Sequence, residues 1–123
     1  MRQVGETGNS LKMVFRNHPE NERIVRTTAA VFVSILDPTL EEISDFKTAV
    51  SEAVTNAIIH AYPESGGDIE AYFKRENKKI TVIITDYGVG IKDVKKVNAA
   101  IVYNVTYTRT LRYGIYIYGS FLR

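Results

Sequence analysis

The chain contains no cysteine. A disulfide scaffold and a thiolate metal centre are therefore excluded. No apolar run reaches the roughly 18 residues that a membrane-spanning helix needs. The opening stretch MRQVGETGNS lacks the apolar segment of a signal peptide. Nor is there the dense basic cluster that marks a nucleic-acid surface. These absences give the expectation of a soluble, cytoplasmic protein with no direct nucleic-acid or membrane partner. What remains is 123 residues, 45% of them hydrophobic, which suits one globular domain with a real core. One further absence is local. Residues 1–96 hold all 14 acids against 13 Lys and Arg, whereas residues 97–123 hold three Arg and no acid.

Period decides the elements. LKMVFR (11–16) alternates and reads as a short strand after a polar N-terminal extension, 1–10. NERIVRTTAAVFVSIL (21–36) places Ile24, Val25, Thr28, Val31, Phe32 and Ile35 at a helical period. Asp37-Pro38 breaks it. Thr39 and Glu42 then form a capping box that starts a second helix running to about Ala61. Pro63 and the Gly66-Gly67 pair make a turn. DIEAYFKRE (68–76) and KITVIITD (79–86) read as two strands joined by a tight turn near Asn77. YGVGIKD (87–93) is read as a loop, with a helix expected to start near Asp93. The order predicts an α+β fold, a two-layer sandwich with the helices on one face of a sheet.

Two places carry chemistry. In SEAVTNAIIHAY (51–62), Glu52, Asn56 and His60 follow one another at four-residue steps. Such steps keep all three within about 80° on a helix. The stripe borders the apolar positions Phe46, Ala49, Val50, Ala53, Val54, Ala57 and Ile58, which the core would use. Spacing alone leaves open a solvated edge that happens to hold a glutamate. Against that, Glu52 has no cationic partner at 48 or 56. One histidine is too few for a zinc helix of the H-E-x-x-H type. Glu with Asn is a hard-oxygen pair suited to Mg²⁺, which usually takes further ligands from substrate phosphates. The second place is ITDYGVGI (84–91). Ile80, Val82 and Ile84 share one strand face, and a period of two puts Asp86 on it. A carboxylate ending an apolar row is costly unless partnered. Gly88 and Gly90 follow, and glycine lets backbone approach a ligand closely. A turn in which Asp86 bonds its own backbone is the alternative.

Together, in this order and about thirty residues apart, the two stretches resemble the N box (E-x-x-x-N-x-x-x-H) and first glycine box (D-x-G-x-G) of the ATPase superfamily of gyrase and the histidine kinases. NHPENERIVRTTAAVFVSILDPTLEEISDFKTAVSEAVTNAIIHAY is similar, further, to the sporulation anti-sigma factors of the sigma-F type, small serine kinases of that superfamily; the likeness spans about residues 11–96. The resemblance implies a Bergerat-type sandwich on a mixed sheet. It implies that Asn56 ligates Mg²⁺ on the phosphates of ATP and that Glu52 is the general base for a serine hydroxyl of a partner protein. Asp86 would accept a hydrogen bond from the adenine amino group, with Gly88, Gly90 and Ile91 packing about the nucleoside. The implied partners are a sigma factor, an anti-anti-sigma factor phosphorylated on serine, and a second copy in a homodimer. Glu22 and Arg26 match residues at the family's partner interface; without the family they read as a solvated i,i+4 pair. His60 stands where the family has His-Gly-Tyr, and a packing role suits it as well as a ligand contact. The ATPase domain of a two-component histidine kinase is the alternative, but no dimerisation helices or phospho-acceptor segment are seen. A catalytically impaired module that only sequesters a partner is another.

The resemblance stops after Lys96. The family continues into an ATP lid with Thr-Thr and a second glycine box, G-x-G-F-T. This chain reads VNAAIVYNVTYTRTLRYGIYIYGSFLR, with five of the eight tyrosines. Read one nucleotide later, codons for 98–121 permit MQPLYTTSPTLERSGMGFTFMEAF, the missing parts in order. The expectation is an altered tail, 97–123, arising from a one-nucleotide insertion near the Val97 codon. Its β-prone segments, such as YGIYIYG, would favour aggregation if exposed.

Overall fold

Strand β1 (Asn9–Arg16) opens the computed structural model, which describes residues 8–61, 66–86, 101–108 and 116–121. The ladder begins two residues earlier than side-chain alternation indicates, because Asn9 and Ser10 pair with Arg75 and Lys74 through backbone alone. Helix α1 (Asn21–Val33) continues through a 3₁₀ turn, Ser34–Leu36. It ends at Asp37, held in the left-handed region at φ 56°, before Pro38. Helix α2 (Leu40–Ala61) starts on the expected box. The Thr39 N–H donates to Glu42 Oε1 at 2.9 Å, and the Glu42 N–H donates to Thr39 Oγ1 at 3.1 Å. Two of the N–H groups left open at the helix start are thereby satisfied.

β2 (Asp68–Glu76) and β3 (Lys79–Asp86) form a hairpin whose turn places Asn77 at φ 55°. Asn accepts that conformation more readily than most residues. Two further strands follow, β4 (Ile101–Thr108) and β5 (Tyr116–Phe121). The sheet order is β1-β2-β3-β4-β5. Each of its pairs is antiparallel, not mixed as the resemblance implied. Topology supplies the reason. α1 runs out and α2 runs back, so β2 begins beside the end of β1, with Arg16 opposite Asp68. A single crossover helix would have produced a parallel pair. The loop at 87–93 and the helix expected near Asp93 lie outside the described residues.

The helices and the sheet bury one core. Phe46, Ala49, Val50, Ala53, Val54 and Ala57 of α2 meet Ile69, Ala71 and Phe73 of β2 and Ile80, Val82 and Ile84 of β3. Ile58 is packed against them in part. The tail joins in, since Val105 and Tyr107 of β4 are also buried. On α1 the residues at the sequence period divide, with Val25 and Phe32 turned to the core and the other apolar ones outward. Val25, Ala29, Val33 and Leu36 are buried, while Ile24, Val31 and Ile35 are mostly exposed. The helix carries apolar residues on two stripes, and the one containing small Ala29 is the buried one. Phe32 still packs inward, 5.6 Å ring to ring from Phe73.

Candidate functional site

The buried stripe of α2 dictates where its polar neighbours go. Ala53 and Ala57 face the sheet, so Glu52 and Asn56, one position before each, stand at the edge of that contact and are exposed. Glu52 forms no ion pair among the described residues. His60 continues the stripe along the helix backbone, but its side chain lies outside the described set. Ala61 closes the helix.

Asp86 sits at the far end of β3. Ile80, Val82 and Ile84 on its face are wholly buried, and Asp86 itself is 1% exposed. Its Oδ2 atom is buried too. Backbone pairing holds the residue between Ile69 of β2 and Ile101 of β4. α2 lies over β2, β3 and β4, so this carboxylate belongs to the layer that the Glu52–Asn56 helix covers. Such a group is stable only where donors meet it. The alternation argument thus located Asp86 correctly. Gly88, Gly90 and Ile91 lie outside the described residues.

Glu22 and Arg26 prove to be more than a solvated pair. Arg26 Nε lies 3.3 Å from Glu22 Oε2, and the Ser51 hydroxyl donates to the same oxygen at 2.6 Å. The Glu22 side chain keeps only 21% of its exposure. It therefore ties α1 to α2 one residue before Glu52. Beside it, Arg26, Ser44, Lys47, Thr48, Ser51 and Glu52 line a polar depression of about 280 Å³. Ser44, Lys47, Thr48 and Ser51 were not singled out from the sequence. Their spacing of three and four residues, leading to Glu52, was the available signal.

Among the described residues no three His, Cys, Asp or Glu side chains gather into a metal cage. A cation at the Asn56 amide oxygen would thus draw its other ligands from phosphate oxygens and water, as Mg²⁺ commonly does. No helix among the described residues is long and apolar enough to cross a membrane.

The chain is 50% identical over 91 residues to the anti-sigma F factor of Clostridium novyi (strain NT), covering 73% of this chain and 64% of that protein. It is 48% identical over 88 residues to the anti-sigma F factor of Clostridium acetobutylicum, covering 72% and 62%. It is 48% identical over 90 residues to that of Pasteuria penetrans, covering 72% and 60%. The chain therefore spans somewhat less than two thirds of these relatives' length. The profile of the histidine kinase-like ATPase domain matches residues 15–122. With most of the chain matched and the acidic, amide and helix–sheet features in place, the protein belongs to the histidine kinase-like ATPase domain family.

Proposed function

We propose that the chain binds ATP with Mg²⁺ between α2 and the Asp86 end of β3, and acts as an anti-sigma factor with protein-serine kinase activity. The observation that carries this reading is the buried carboxylate of Asp86 beneath the helix that presents Glu52 and Asn56. An acceptor-only group suits the amino group of adenine and disfavours guanine, which offers an acceptor at that position. Asn56 would hold Mg²⁺, whose chemistry is to neutralise charge on the phosphates during transfer. Glu52, open to solvent, would take the proton of an incoming serine hydroxyl. Gly88, Gly90 and Ile91 would pack the nucleoside. Glu22 and Arg26 would serve the partner surface, with Glu22 orienting Arg26.

The partners of this reading are a sigma factor that the chain inhibits and an anti-anti-sigma protein that it phosphorylates, with the chain acting in the cytoplasm as a homodimer. The names of the curated relatives support the sigma-factor part. The tail from 97 onward replaces the lid and second glycine box, through a one-nucleotide insertion in the gene. Resequencing codons 94–100 tests that origin, and a frame with no extra base would refute it.

The decisive experiment is calorimetric titration of the 123-residue chain with Mg²⁺-ATP, with Asp86→Asn as control. Binding by the wild type alone supports the site. No binding by a folded chain refutes it and favours the second reading, a module that sequesters its partner without turnover. That second reading draws on the relatives' alignments, which cover only 72–73% of this chain.

A further inference from the structure

Two groups of the proposed site ride on α2 and the third on β3. Between these elements the chain passes through the 62–67 connection and all of β2. The position of α2 along the sheet is therefore set by non-covalent contact. Apolar packing is non-directional, so it resists separation better than sliding. A directional tie exists at the other end of the helix. The Tyr107 hydroxyl donates to Glu42 Oε1 at 3.0 Å. The same oxygen accepts the Thr39 N–H of the capping box, so the carboxylate is already held when the tyrosine meets it. The Tyr107 ring is 1% exposed and stands edge-on to Phe46, 6.2 Å between centroids at 72°. Glu42 and Phe46 are one turn apart on one face of α2. A bond to the first and a ring contact to the second fix both the axial position and the rotation of the helix.

We infer that Tyr107 is a positioning residue: by pinning the first turn of α2 to β4, it sets where Glu52 and Asn56 stand relative to Asp86. This inference rests on the ATP site proposed above. Asn56 is fourteen residues from Glu42, about 21 Å along a helix, which transmits a slide at its start nearly undiminished. A misplacement of about 1 Å can cost up to about 10²-fold where several groups must act on one ligand together. A strand late in the chain thus governs the geometry of groups carried on α2 and β3.

The test uses the full chain and two ligands. Adenosine needs Asp86 but neither Asn56 nor Glu52, whereas Mg²⁺-ATP needs Asn56 as well. Tyr107→Phe removes the hydroxyl and keeps the ring, so the fold is retained and adenosine binding serves as its control. Calorimetry is expected to show adenosine affinity unchanged within about twofold and Mg²⁺-ATP affinity reduced about tenfold. Equal weakening of both ligands, or of neither, overturns the inference. A wild-type chain that binds Mg²⁺-ATP no more tightly than adenosine also overturns it, while leaving the adenine pocket standing. A wild-type chain that binds neither ligand removes the ATP site and the inference with it.

Discussion

Burial separates the acids of this chain into distinct kinds. Asp86 is 1% exposed, Glu22 is largely covered, and Glu52 is open. Each responds differently to substitution. Asp86→Asn keeps the volume but turns half of the acceptor into a donor, so ATP binding should fall at least about tenfold, as read by calorimetry. Glu52→Ala removes an exposed side chain, so urea unfolding should move by less than about 0.5 kcal/mol. ATP binding should survive that change, while phosphate transfer to a partner serine, followed by labelled ATP, should be lost. Ser51→Ala removes a donor from Glu22 and should cost about 1 kcal/mol in the same unfolding assay. At this scale much was legible. Four-residue steps exposed the Glu52–Asn56 stripe, and two-residue steps put Asp86 on a buried face. The Ser51–Glu22 bond was not legible, because it joins residues 29 apart on separate helices. No local period encodes such a contact.

Among the elements, α2 was readable from start to finish because its signals are local: a capping box at Thr39 and Glu42, then one continuous apolar stripe. Thr39→Ala should destabilise the protein by about 1 kcal/mol, measured by urea denaturation, through the loss of that cap. The hairpin of β2 and β3 was equally plain from alternation on either side of Asn77. α1 shows where period fails. Its apolar residues fall on two stripes, and period alone does not say which of them the core takes; the one with Val25, Ala29 and Val33 is buried. β4 shows a different failure. Val105 and Tyr107 alternate with Asn104 and Thr106, and this is the ordinary mark of a half-buried strand.

For the whole molecule, the tail is part of the architecture. β4 pairs with β3 along its full length and sends Val105 and Tyr107 into the core. Burying such side chains contributes about 1.5–3 kcal/mol each, a large share of the 5–15 kcal/mol that typically holds a domain together. A chain ending at Lys96 should therefore lose its cooperative thermal transition and associate through the bared edge of β3. Calorimetry and size-exclusion chromatography check this, and a monomeric 1–96 fragment with a sharp transition would contradict it. The sheet's order also implies a sequence of assembly. β3, β4 and β5 each pair with the strand before them in the chain, across connections far shorter than the one between β1 and β2. β1 alone must wait for both helices, since Arg16 meets Asp68 only after 51 intervening residues have been placed. Closing so long a span costs more entropy than turning a hairpin, and contacts distant in sequence form slowly. β1 should thus dock last and detach first. Its amides should exchange with deuterium ahead of those in β2 and β3.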